Sequence, residues 1–224
     1  EVVEGMSEAC EALGIPVIGG NVSFYNESRG ENIHPTPVVG VLGLIDELHA
    51  VPPVAQLRDG DEIVVLGDVA PELGGSEWAA AIHGLDGGAP PAADLERARA
   101  LHDVVAELVA ESAVQGVHDV SDGGLAIAIA EMAINGGVGA RVELPFPDCS
   151  LAEAMFAEPA SVVVLSVERE RSAEVCGRAA AVGVPARVIG RARGDRLVFV
   201  GACDVALTDA AHAWRDALPT LMAH

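Results

Sequence analysis

From Val138 onward, short apolar runs alternate with stretches of helical spacing, and this alternation restricts the chain to a layered fold of sheet and helix. Residues 138–144, 161–167, 184–191 and 196–200 read as strands. The last two are joined at Gly194-Asp195 in a hairpin-like turn. Between and after them, 151–156, 168–182 and 208–218 read as helices. Upstream, 61–67 (Asp61-Glu62-Ile63-Val64-Val65-Leu66-Gly67) has a strong strand pattern, and 76–83 a short helix. Asp94 stands at the N-cap of a helix reaching about Ser112, with Leu95, Ala98, Leu101, Val105 and Leu108 as its core stripe. A further helix over 123–135 faces the core with Leu125, Ala128, Ile129 and Met132, and Gly136-Gly137 ends it. The fold class expected is α+β, mixed in the α/β manner, with a larger domain over 56–224.

The first 55 residues form a partial second unit. Val2 or Val3, Met6, Ala9 or Cys10 and Leu13 mark one stripe of a helix over 1–13, with Gly14 as its C-cap. Residues 15–22 and 37–45 read as apolar strands, 24–34 as a polar loop, and 46–60, with Pro52-Pro53, as a linker. The chain opens at Glu1 without a methionine, a signal peptide or an N-capping residue, which predicts a piece of a longer polypeptide.

Charge and composition exclude several functions. The 224 residues include 34 acidic and 13 basic ones, a formal charge of −21, and no lysine. Such a surface repels phosphate backbones, so nucleic acid is not an expected partner. Without lysine there is no Schiff-base chemistry and no Walker-A loop. No apolar run reaches the roughly 18 residues of a membrane span, so no membrane is expected. Cys10, Cys149, Cys176 and Cys203 show no metal-binding or disulfide spacing, in keeping with a reducing cytoplasm.

Three motifs carry the chemistry. In Gly19-Gly20-Asn21-Val22-Ser23-Phe24-Tyr25-Asn26-Glu27, glycines at a strand end allow close approach of a ligand. Asn21 offers a neutral oxygen to a hard cation such as Mg²⁺, and Ser23 shares its strand face. The plain alternative is a strand followed by a polar turn. In His118-Asp119-Val120-Ser121-Asp122-Gly123-Gly124-Leu125, a glycine-rich helix start exposes N–H groups suited to phosphate, while Ser121 or Asp122 also suits a simple N-cap. Leu73-Gly74-Gly75-Ser76-Glu77-Trp78 is another glycine-rich entry to a helix, of the commonplace kind in which a serine, here Ser76, is the cap. The remaining histidines lack metal spacing, and no carboxylate pair stands out as an acid/base couple.

Taken together with Pro35-Thr36-Pro37 and Val39-Gly40-Val41-Leu42-Gly43, these motifs resemble the synthetase subunit of phosphoribosylformylglycinamidine synthase, across most of the chain. The resemblance implies the C-terminal part of an aminoimidazole ribonucleotide synthetase-like two-domain fold, whose smaller sheet domain would be represented by 1–55. It implies a ligase of purine biosynthesis: ATP phosphorylates formylglycinamide ribonucleotide, and ammonia from glutamine displaces the phosphate. Gly20 corresponds to an ATP contact, Asn21 to a Mg²⁺ ligand and Ser23 to a substrate contact. The catalytic residues would lie elsewhere, leaving none in this segment. Implied partners are the N-terminal remainder of the same polypeptide, a glutaminase subunit and a small bridging subunit. A related synthetase, for aminoimidazole ribonucleotide or selenophosphate, and a non-catalytic nucleotide-binding module remain the alternatives.

Overall fold

A computed structural model describes residues 2–21, 27–45, 51–85 and 87–223. They fall into two compact units, Glu1–His49 and Ala50–His224.

The first unit opens with helix α1 (Val2–Leu13). Gly14, at a φ of 69°, closes it in the left-handed conformation, with Ile15 N–H donating to Cys10 O at 3.0 Å. A two-residue hairpin, β1 (Glu27–Ser28) and β2 (Glu31–Asn32), turns through Arg29 and Gly30, both at positive φ, within the stretch expected as loop. The strands expected over 15–22 and 37–45 are not formed at the described positions 15–21 and 37–45. The reason is a missing second layer. No described residue of this unit is buried, and Val38 is 97% exposed. An apolar strand needs a paired neighbour and a covered face, and the described residues of this unit, with their one helix and two-residue hairpin, supply neither for 15–21 and 37–45.

The second unit comprises β3 (Glu62–Leu66), α2 (Glu77–His83), α3 (Leu95–Ala110), β4 (Gly116–Asp119), α4 (Gly124–Gly136), β5 (Ala140–Val142), α5 (Leu151–Phe156), β6 (Val163–Val167), α6 (Ser172–Ala181), β7 (Ala186–Ala192), β8 (Arg196–Phe199), β9 (Cys203–Ala206) and α7 (Leu207–Met222). Its seven strands form one sheet in the order β4-β6-β3-β7-β5-β8-β9. All pairs are antiparallel except β5 with β8. Successive strand side chains point to opposite faces. Ile63 and Val65 therefore pack with Leu125, Ile129 and Met132 of α4, and Val64 and Leu66 with Leu101, Val104 and Leu108 of α3 and Val175 of α6. Val104 takes the buried place expected for its neighbour Val105, which is half-buried.

Two expectations fail for reasons of chain geometry. β7 and β8 do not form a hairpin, because β5 lies between them, antiparallel to β7 and parallel to β8. The turn at Gly194 wraps around Gly139: Gly139 N–H donates to Gly194 O at 2.7 Å, and Arg193 N–H donates back to Gly139 O at 2.8 Å. A side chain at 139 would collide with the backbone of Arg196. Second, residues 54–57 are not linker. Val117 N–H donates to Val54 O at 3.3 Å, Leu57 N–H to Met132 O at 2.9 Å and Asn135 Nδ2 to Ala55 O at 2.9 Å, so this segment covers the β4 edge. Gly116 and Gly136 admit it, since a Cβ at either would run into the carbonyls of Gln56 and Leu57. The edge strands β4 and β9, four residues each, carried too little pattern to be anticipated.

Leu57 is 1% exposed within the larger core. Leu57→Ala is expected to cost about 3 kcal/mol in urea unfolding followed by circular dichroism. Val38→Ala, at an exposed position, should stay within about 0.5 kcal/mol.

Candidate functional site

Gly20 and Asn21 lie on exposed, irregular backbone, and Ser23 falls in 22–26, outside the described residues. A Cβ built on Gly19 or Gly20 meets nothing within 4 Å, so packing inside this chain does not require glycine there. For Mg²⁺, Asn21 supplies one neutral oxygen, and the described residues contain no cluster of three or more His, Cys, Asp or Glu able to hold a metal. The donor set among the described residues does not by itself make a Mg²⁺ site.

The two glycine-rich helix starts of the larger unit are well defined. Ser76 caps α2, its hydroxyl accepting from Ala79 N–H at 3.2 Å and donating to Leu73 O at 2.7 Å. Asp94 caps α3 by accepting from Arg97 N–H at 3.0 Å. At α4 the expected side-chain cap fails: neither the Ser121 nor the Asp122 side chain bonds the helix, although Ser121 O accepts Gly124 N–H at 2.9 Å, and Gly123 takes the cap position at a φ of 80°. Ser121 donates its hydroxyl to Asp119 Oδ2 instead. The acceptor at this helix start is Glu158, whose Oε1 receives Gly123 N–H at 2.8 Å and, from α2, Glu77 N–H at 2.8 Å. Trp78 stacks on Phe156 with ring centres 4.3 Å apart, securing the same junction. The sequence carries no motif at Glu158; Pro159 beside it is the only local signal.

His118, on β4, approaches Glu131 Oε2 of α4 through Nε2 at 2.8 Å, and its buried Nδ1 lies 3.3 Å from Asp119 Oδ1. Glu131 Oε1 accepts Trp214 Nε1–H at 3.2 Å, extending the contact to α7. His118 thus ties strand to helix, and Ser121 bonds a carboxylate instead of the imidazole, so no nucleophilic triad is assembled.

Beside the junction, a cavity of about 460 Å³ is lined by His102, Asp119, Ser121, Asp122, Glu158 and Ser161 among others. A second, of about 210 Å³, shares Ser161 and adds Asp68, Asp94 and Arg97. Asp68 is already paired with Arg187 at 2.7 Å and with Arg97 at 4.0 Å. The larger cavity is lined by three carboxylates, Asp119, Asp122 and Glu158, and by no lysine or arginine, which makes it a poor place for a free phosphate. The Ser121 hydroxyl, helped by the Asp119 backbone and His118, holds the Asp119 carboxyl below its ordinary range against the opposing effect of burial.

The larger unit is thus a mixed sheet covered by helices on both faces. Residues 58–202 match the family model described as "AIR synthase related protein, C-terminal domain", and 1–45 match the corresponding N-terminal domain. The chain belongs to the AIR synthase related protein family. Curated relatives include "Phosphoribosylformylglycinamidine synthase subunit PurL" of Moorella thermoacetica, 43% identical over 100% of this chain and 31% of the relative. The protein of the same name from Streptomyces coelicolor is 40% identical over 100% of this chain and 30% of the relative. The chain therefore spans under a third of the length of these relatives. Among solved structures, T. maritima PurL complexed with FGAR superposes with a TM-score of 0.62 at 19% identity, covering 72% of this chain and 29% of that one. T. maritima PurL complexed with ATP gives 0.57 at 19% identity, covering 72% and 27%. These two likenesses establish the fold. Among the described residues no helix is long and apolar enough to cross a membrane.

The Asp119 geometry has a measurable consequence. A folded pKa below the unfolded one stabilises above the unfolded value, and the contribution is lost as pH falls through the folded value. Ser121→Ala removes the principal cause, so the carboxyl titration of Asp119, followed by carbon NMR, should move to higher pH. The acid-side loss of stability that Asp119 contributes should move upward with it.

Proposed function

We propose that this chain is a C-terminal portion of a phosphoribosylformylglycinamidine synthase, an ATP-dependent ligase acting in the cytoplasm in purine biosynthesis. The observation that carries the reading is the 43% identity to the Moorella thermoacetica protein of that name, running over the whole of this chain. The order of the motifs supports it, from Gly20-Asn21-Val22-Ser23-Phe24-Tyr25-Asn26 to His118-Asp119-Val120-Ser121-Asp122-Gly123-Gly124.

In the parent reaction the glycinamide carbonyl oxygen of formylglycinamide ribonucleotide attacks the γ-phosphorus of ATP, releasing ADP and leaving an iminophosphate at the former carbonyl carbon. Ammonia adds to that carbon, the carbon–oxygen bond breaks, and inorganic phosphate leaves with formation of the amidine. Residues 1–55 would bring to this reaction the wall of the smaller domain, and 56–224 the larger domain. Gly20 would let backbone approach ATP, Asn21 would give one oxygen to Mg²⁺, and Ser23 would hydrogen-bond the ribonucleotide. When bound, Mg²⁺ would neutralise the phosphates and favour transfer. Its carboxylate ligands and the general acid/base residues would come from the remainder of the polypeptide. The ammonia would come from a glutaminase subunit held through a small bridging subunit.

Two assays test this. The isolated chain, given ATP, Mg²⁺, ammonia and formylglycinamide ribonucleotide, should form neither ADP nor amidine; turnover by it would overturn the division of labour. Grafted in place of the matched third of the Moorella protein, the chain should support growth of a purine-requiring strain. Asn21→Ala in that chimera should lower synthase activity by at least about tenfold. An inactive chimera that folds and binds ATP would overturn the assignment.

A further inference from the structure

The sequence leaves the glycine-rich start at 118–125 open between a phosphate site and a plain N-cap, and that at 73–78 reads as a commonplace capped entry; the structure brings both to a single carboxylate oxygen. Glu158 Oε1 accepts Glu77 N–H and Gly123 N–H, each at 2.8 Å. Both donors sit where a helix start leaves its N–H groups without partners inside the helix and concentrates partial positive charge. A carboxylate accepting such donors makes the stronger, charge-assisted kind of hydrogen bond.

The acceptor is held by more than its own side chain. Pro159 follows it and biases Glu158 towards extended backbone. Just upstream, a Cβ on Gly124 would lie 2.6 Å from Ala157 O and 2.8 Å from Met155 O, so the chain leading to Glu158 presses directly against the start of α4. Phe156, stacked on Trp78, presses in the same way against α2. Gly123 has no side chain to cap α4, and neither the Ser121 nor the Asp122 side chain does so. The segment from Met155 to Glu158 therefore occupies the room, and Glu158 the hydrogen bonds, that an incoming phosphate would need.

We propose that Glu158 is the built-in anion of this unit, a positioning residue whose carboxylate closes both glycine-rich helix starts so that neither takes a phosphate. Through the Gly123 amide it also sets the neighbouring Ser121 and Asp122, which line the adjoining cavity. Asp119 and Asp122 beside it add like charge against any anion that would compete. The unit is then stabilised from within, and the reading of it as a module that binds nucleotide for structure loses its anchoring point.

Amide exchange and amide chemical shifts at Glu77 and Gly123 test the proposal on the whole 224-residue chain. In Glu158→Ala, both amides should exchange at least about tenfold faster than in the wild type, because one acceptor serves both. Added acetate should restore both together, and Glu158→Gln, which keeps the shape without the charge, should lie between wild type and Glu158→Ala. Protection retained at either amide in Glu158→Ala, or acetate without effect, would overturn the proposal. The wild type needs no variant to fold: titrated with inorganic phosphate, its Glu77 and Gly123 amides should stay unmoved, and a saturable shift at either would show an open phosphate site. None of these readouts involves turnover, so their failure leaves the synthase assignment untouched.

Discussion

The larger unit depends on β3, a strand buried on both faces and paired on both edges. Ile63, Val64, Val65 and Leu66 are each 0% exposed, and their alternation divides the interior into two cores. One core receives α4 and α5, the other α3 and α6. Its neighbour β6 follows the same alternation, with Val164 in the first core and Leu165 and Val167 in the second. The start of the strand is pinned by a buried polar pair: Ser166 donates its hydroxyl to Asp61 Oδ2 at 2.7 Å and accepts Arg58 N–H at 3.3 Å. Burial pushes the Asp61 carboxyl above its ordinary range, and the Ser166 hydrogen bond works against that shift. Satisfied in this way, the pair fixes where β3 begins without leaving a bare charge inside.

The smaller unit shows what the same kind of sequence does without such a partner. Val38, Leu42 and Leu44 carry as much apolar character as Val64 and Leu66, yet they are 97%, 79% and 90% exposed. An apolar run states a demand for burial, and a strand appears only where another layer answers it. This explains why periodicity located α3, α4, β3 and β6 correctly but gave strands at 15–22 and 37–45 that the described residues do not form.

The legibility of the candidate site divides along similar lines. Ser76 and Asp94 were readable as caps because a cap bonds an amide three residues away, within reach of local pattern. Gly20 and Asn21 were readable as a motif, but their surroundings were not, since both lie on exposed, irregular backbone. Glu158 was invisible: its donors lie 81 and 35 residues away, and one glutamate among many has no spacing to announce it. The α4 start was misread for a local reason. Ser121 has the chemistry of a cap, but Asp119, two residues back, takes its hydroxyl. The hairpin at Gly194 failed because adjacency in sequence favours pairing without compelling it.

That insertion of β5 between β7 and β8 bears on the order in which the chain can assemble. Residues 186–199 hold two strands joined by a three-residue turn, a segment that in isolation would zip up within microseconds. Here a premature zipper is a trap, because the place beside β7 belongs to residues 140–142, more than forty positions upstream. The segment must stay open until that short strand arrives, or come apart to admit it. The slot closes only when β8 completes its parallel pairing and Arg193 bonds Gly139. A three-residue strand thus carries a long-range contact that cannot be made early, and the last half of the sheet inherits the slower clock of non-local pairing.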